Sequence, residues 1–191
     1  MKDRMTSGGL YIADDPELAA EHARAQKLLE RYNATPHDDE ARDHLLRDLL
    51  GNVGKGVVVK SVFRCEYGYN ISIGAGTFVN FDCIMLDVST IQIGASCQIA
   101  PRVQLLTATH PIDPQPRRLG WEYARPIVLG ENVWLGGGVI ICPGVHIGDN
   151  TVVGAGAVVT RNLPGGVVAF GNPARVHREI DGSDAIPIPE L

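Results

Sequence analysis

Residues 129–160 read LGENVWLGGGVIICPGVHIGDNTVVGAGAVVT, and Leu129, Leu135, Ile141, Ile147, Val153 and Val159 recur in them every six residues. Val133, Val139, Val145, Thr151 and Ala157 form a second series of the same period, four residues behind the first. A small residue follows each of the first five members: Gly130, Gly136, Cys142, Gly148 and Gly154. A period of six fits neither an amphipathic helix nor an alternating strand. It marks a mainly β chain wound as a parallel β-helix, in which each sextet gives one short strand and one corner. Three sextets close a triangular coil, and the two apolar series point inward. The glycines, with Asn132 and Asn150, serve corners that need unusual backbone angles. Stacked coils touch only their neighbours, so both ends need covering.

Upstream the beat continues in shorter blocks, Ile73–Val79–Met85 and Ile93–Ile99–Leu105. Its breaks can be counted. Met85 to Ile93 spans eight residues, which puts two extra near Asp87-Val88. Leu105 to Leu129 spans 24 where one sextet needs six, so 18 residues leave the coil and return in phase. This excursion, about 107–124, holds His110, Pro111, Pro114, Pro116, Trp121 and Tyr123. Its prolines restrict the chain and predict an ordered arm. Long ordered loops on rigid scaffolds are frequent carriers of function.

Before the coil, residues 15–50 read as helical. Asp15-Pro16 supplies an N-cap and an N1 proline, with Leu18, Leu28 and Leu29 on one stripe. Thr35-Pro36 restarts the pattern, Leu45, Leu46, Leu49 and Leu50 give a second apolar face, and Gly51-Asn52 ends it. The expected organisation is a helical cap over 1–55, the coil over 56–180 and a tail over 181–191. The tail, DGSDAIPIPEL, leaves the repeat and is assigned only edge packing. Net charge is −5 and hydrophobic residues make up 45%, with aromatics at 6%. The core is therefore aliphatic, and neither nucleic acid nor an anionic membrane is expected as the main partner. A local basic patch for an anionic cofactor stays open. The N-terminal stretch MKDRMTSGGLYIADD has no signal-peptide run, and no segment has the length of a membrane helix. Cys65, Cys83, Cys97 and Cys142 lack C-x-x-C spacing and read as reduced core thiols, consistent with a cytoplasmic location.

Six stretches carry a resemblance: GGLYIADDPEL (8–18), FRCEYGYNISIG (63–74), FVNFDCIMLDV (78–88), TATHPIDP (107–114), 131–160 and GNPARVHREI (171–180). Over roughly residues 7–180 the chain resembles the maltose and galactoside O-acetyltransferases of the hexapeptide-repeat superfamily, the maltose enzymes most nearly. The 131–160 repeat is shared by many acyltransferases, whereas RCEYGYN, NFDC and TATHPIDP are specific to this group. The resemblance implies a left-handed β-helix, a homotrimer with active sites between neighbouring coils, and acetyl-CoA as donor. It also implies a sugar acceptor such as maltose, glucose or a galactoside, and no metal.

A sugar hydroxyl is a weak nucleophile at neutral pH, so acetyl transfer to it needs a base, and histidine suits that task. Of six histidines, His22, His37 and His44 lie in the helical front, His146 in a sextet and His177 near the C-terminal end. His110, at the start of the excursion and inside TATHPIDP, is the expected base. The resemblance assigns Asn80 to the substrate, where the alternative is a corner asparagine. It offers Asp87 to a hydroxyl, where the alternative is a solvated turn, and it places Tyr67 and Asp15 (or Asp14) along the sugar pocket. Backbone N–H groups of Gly136-Gly137-Gly138 can stabilise the thioester oxyanion. Position 137 is serine in galactoside-type relatives, so a backbone donor survives here and a side-chain contact does not. Trp134 packs on donor or acceptor, or at a subunit interface. Ala155, Thr160, Arg161, Arg175 and Arg178 match cofactor positions, with arginine suited to phosphate. Arg161 stands where lysine is commoner.

Three rivals remain at this point. A zinc enzyme of this fold would need His110, His146 and His177 to converge. A related acetyltransferase could act on an antibiotic or nucleotide sugar, and a silent trimeric scaffold would need no chemistry at all.

Overall fold

In the computed structural model, which describes residues 1–187 and 189, the sextets become short parallel strands on three faces. The first face stacks Asn52–Val53, Ile71–Ile73, Ile91–Ile93, Ile127–Leu129 and His146–Ile147. The second stacks Val58–Val59, Phe78–Val79, Gln98–Ile99, Trp134–Leu135, Val152–Val153 and Val167–Gly171, with Ala174–Glu179 folded back antiparallel as its edge. The third stacks Phe63–Cys65, Cys83–Leu86, Gln104–Leu106, Ile140–Ile141 and Val158–Val159. Register follows the repeat. Ile73, Ile93, Leu129 and Ile147 align on the first face, Val79, Ile99, Leu135 and Val153 on the second, and Met85, Leu105, Ile141 and Val159 on the third. All twelve are buried, and each contributes on the order of 1.5–3 kcal/mol by leaving water. Thr151 is the polar member of the second series, and its hydroxyl donates to the Pro164 carbonyl at 2.7 Å.

Glycine and asparagine divide the corner work differently from the sequence reading. Where glycine directly follows an aligned aliphatic, it serves close stacking: a Cβ at Gly94 would lie 2.3 Å from the Gly130 carbonyl oxygen. Left-handed angles fall two residues later, at Gly138 and Gly156 (φ 70° each) and at Asn132 (φ 53°) and Asn150 (φ 59°), whose side chains bond each other at 2.9 Å.

The coil begins at Asn52–Val53, which pairs with Ser72–Ile73, and so starts four residues before the expected boundary at 56. Before it come helices α1 (Lys2–Thr6), which was not expected, α2 (Pro16–Ala34) and α3 (Ala41–Leu49). The second predicted helix starts at Ala41 and not at Pro36, because residues between them form turns, and the Asp39 carboxylate accepts the Ala41 N–H at 2.9 Å. Helix α2 lies on the start of the third face. Asn33 bonds both the N–H and the carbonyl of Phe63, and the Tyr32 hydroxyl donates to Val59 at 2.6 Å. Buried Arg42, on α3, ties these parts together through the carbonyls of Tyr32, Thr35 and Val59 and the Ser61 hydroxyl.

The corner between the third and first faces carries the insertions. Cys65 to Ile73 carries two extra residues, as does Met85 to Ile93, and the 18-residue arm leaves from the same corner one coil later. Beneath these loops Met5, Tyr11, Leu18, Tyr67, Val88 and Ala124 form a second buried cluster. The four thiols are unpaired, and burial raises them, Cys83 to about 11. Among the described residues no helix is long and apolar enough to cross a membrane.

Candidate active site

The arm is ordered from its neck outward. The Thr107 hydroxyl donates to the Leu86 carbonyl at 2.6 Å and accepts the Ser89 N–H at 2.9 Å. The Arg125 N–H donates to the Thr107 carbonyl at 2.9 Å, and Ala108–Thr109 pairs antiparallel with Tyr123–Ala124. Tyr11 bridges to Glu122 through both backbone bonds, at 3.0 and 3.1 Å, which fastens the N-terminal segment to the returning strand. Beyond the neck a short helix, α4 (Pro114–Arg118), is capped by Asp113. Arg117 donates to the carbonyls of Pro111 and Ile112 at 2.8 Å each, which holds the chain just after His110.

His110 stands at the end of this neck with its side chain 57% exposed, and its Nε2 lies 3.8 Å from the carboxylate of Glu122. That is an electrostatic contact, too long for a hydrogen bond. It leaves the nitrogen free to take a proton from solvent or substrate. Glu122 is mostly covered (16% exposed) and also faces the buried Tyr11 phenol, which burial foremost, then this carboxylate, pushes upward in pKa. Neither Glu122 nor Tyr11 is apparent from the repeat, since their pairing joins segments far apart in the chain.

The corner between the second and third faces is a stack of four equivalent positions: Phe81, Pro101, Gly137 and Ala155, each two residues past an aligned aliphatic. The flanking amides all serve the coil. Gly136 donates to Val153, Gly138 to Pro101 and Gly156 to Gly137, at 2.8–2.9 Å. At the four stacked positions the outcome differs. The Phe81 N–H is capped by the Asn80 side-chain oxygen at 2.9 Å. Pro101 has no N–H. Among the described residues the amides of Gly137 and Ala155 have no partner. Of the three glycines, then, Gly137 alone offers a free donor, at a groove of about 620 Å³ shared with Phe81, Asp82, Pro101, Arg102 and Gly138. Trp134 projects from the second face nearby in sequence, 54% exposed.

Several residues offered to substrate or cofactor serve the fold. Asp87 is fully buried, and its Oδ1 accepts the Glu66 and Tyr67 N–H groups at 2.9 Å each. Its Oδ2 faces the Asn70 N–H at 3.3 Å. The carboxylate thus fastens one corner loop onto the next and is not aimed at a hydroxyl. Burial pushes its pKa up to about 7 against the opposing effect of these amides. Tyr67 is buried in the second cluster, its ring 5.5 Å from that of Tyr69. Asp15 caps α2, accepting the Glu17 and Leu18 N–H groups, and also faces the N-terminal amine. The Asn80 side-chain oxygen accepts the Phe81 N–H, which leaves its NH₂ and one oxygen lone pair for a ligand. Thr160 and Arg161 are exposed after the last third-face strand, and Arg175 and Arg178 lie on the antiparallel edge. Arg178 donates through both terminal nitrogens to the two oxygens of Asp184, at 2.6 Å each, an ion pair that lowers the carboxyl to about 2. The tail therefore clips onto the edge strand and occupies a guanidinium expected at phosphate. His110, His146 and His177 sit on the arm, the first face and the edge strand respectively, and among the described residues no metal-ligating group of three or more side chains forms.

The helical front (residues 4–54) matches the maltose acetyltransferase hexapeptide capping motif, and residues 126–161 match the bacterial transferase hexapeptide model of six repeats. The chain is 50% identical over 176 residues to nodulation protein L of Rhizobium meliloti (strain 1021), covering 92% of this chain and 96% of that one. A maltose O-acetyltransferase structure from Clostridium difficile 630 superposes with a TM-score of 0.92 at 50% identity, covering 94% and 97% of the two chains. A galactoside acetyltransferase structure in complex with coenzyme A gives a TM-score of 0.93 at 38% identity, covering 96% and 92%. With the capping motif and the hexapeptide repeats both matched and these relatives aligned over nearly the whole length, the chain belongs to the maltose and galactoside O-acetyltransferase family of hexapeptide-repeat acetyltransferases.

Proposed function

We propose that this protein transfers acetyl from acetyl-CoA to a hydroxyl of a sugar such as maltose, glucose or a galactoside, with His110 as general base. The observation that carries the reading is His110 itself: an exposed imidazole at the end of a clamped neck, backed by a mostly covered carboxylate. His110 Nε2 takes the hydroxyl proton as the sugar oxygen attacks the thioester carbonyl carbon. Charge develops on the carbonyl oxygen, where the free Gly137 N–H is suited to receive it. Collapse breaks the carbon–sulfur bond, and the imidazolium returns its proton to the leaving thiolate of coenzyme A. Glu122, 3.8 Å from Nε2, faces the ring through both transfers.

The base and the free amide belong to opposite ends of the third-face strands within one chain. A second copy that lays its second-to-third corner against the arm brings the two together, which supports a homotrimer with its sites between subunits. The half-exposed Phe81 and Trp134 suit such an interface. The cytoplasm, where acetyl-CoA is made available, is the matching location.

Release of free thiol from acetyl-CoA, with and without each sugar, tests the proposal. The intact protein is expected to show acceptor-dependent release, and His110→Ala to lose about 10²–10⁴-fold in rate. Wild-type turnover by His110→Ala removes the base, and no sugar-dependent release by the intact protein removes the reaction.

A further inference from the structure

The far end of the second face carries two aromatic rings that neither buried cluster uses. Phe170 is 47% exposed, and its ring centroid lies 4.8 Å from that of His177, with the planes tilted by 45°. Ala169 beside it is fully buried, so the alternation of the strand turns Phe170 outward. Arg175 is its cross-strand partner on the edge strand. Phe170 rests on Gly154, where an added Cβ would come within 2.9 Å of the Phe170 Cβ. The next residue is Ala155, whose amide is free. A pair of rings, a guanidinium and an unpaired N–H thus adjoin along one edge, the N–H one coil beyond Gly137 and the rings two. Exposed rings in contact offer a π-face to a planar heteroaromatic group, and an arginine in register supplies an anion partner. Both features are met in the nucleotide end of coenzyme A, an adenine with phosphates attached.

We infer that Phe170 and His177 form a stacking platform for the adenine of coenzyme A, with Arg175 at the adjoining phosphates. This rests on the acetyl-CoA reading above and adds two residues to it. Roughly 10 Å, two strand spacings, separates the levels of Gly137 and Phe170, so the pantetheine arm runs obliquely across the corner. Arg178, held by Asp184, stays outside the platform.

Calorimetric titration with coenzyme A and, separately, with 4′-phosphopantetheine, which lacks the adenosine, tests the inference in the absence of any acceptor. Phe170→Ala and His177→Ala are each expected to weaken coenzyme A about tenfold, in the range of single-base stacking, and to leave 4′-phosphopantetheine unchanged. His177→Phe is expected to keep wild-type affinity. Wild-type affinity for coenzyme A in both alanine variants overturns the platform, as does equal weakening of both ligands. An intact protein that binds coenzyme A in this pattern yet transfers no acetyl group keeps the platform and removes the proposed reaction. No binding of coenzyme A at all removes both.

Discussion

The coil and the arm satisfy their backbones by opposite means. In the coil each strand borrows its partners from the coil above and below, in the same register over and over, and the side chains inside are nearly interchangeable aliphatics. In the arm, two residue pairs, one bridge to Tyr11 and one threonine hydroxyl hold 18 residues in place. Repetition spreads stability thinly over many equal contacts. The arm concentrates its order in a handful of unlike ones, and those few contacts position His110.

The sharpest break in that comparison comes from the coil core. Leu135→Ala is expected to cost about 2–5 kcal/mol, read by denaturant unfolding, because stacked coils on both sides keep the cavity from collapsing. Activity per folded molecule should hold. A cost below 1 kcal/mol would mean the coil relaxes more freely than its register suggests. Thr107→Val probes the other side. It leaves the buried Ser89 N–H without its acceptor, at a cost of about 1–3 kcal/mol. Here the turnover of the folded fraction should fall as well, since the neck below His110 loosens. Unchanged turnover would show that the Tyr11 bridge alone suffices.

A third test is one of pH. Folding raises the Asp87 carboxyl from 3.8 to about 7, with burial as the main cause. The folded state therefore holds a proton that the unfolded chain releases. The stability tied to it is fully present below about 3.8 and is lost as pH rises through about 7. The melting temperature should decline between pH 5 and 8, and Asp87→Asn should flatten that slope. A slope that persists in the variant belongs to another group.

What the sequence discloses divides along the same line. The period places every aligned aliphatic, and the counted gap predicts where the arm leaves and returns, because both are properties of consecutive residues. The partners of Asp87 lie 17–21 residues away in the neighbouring coil. An acidic loop residue looks the same in sequence whether it faces water or three amides. Asp15 is a milder case: its capping role was legible from Asp-Pro, and that role occupies the carboxylate that a sugar would need. The coil start at Asn52 is hidden in the sequence because two extra residues before Ile73 put Val53, Val59 and Cys65 out of step with everything after them. Glu122 is invisible for a different reason, since only the folding-back of the arm brings it to His110.

Pro101 gives the second-to-third corner a lower limit. Below Gly137 the next amide is missing and the one after it is already capped, so for two coils a ligand hydrogen-bonding along this edge finds no donor on that side, while Ala155 offers one toward the end that bears Phe170. One imino acid in the repeat thus gives a nearly symmetric prism a polarity. It acts as the zero mark of a ruler, fixing the end from which an elongated donor is measured out.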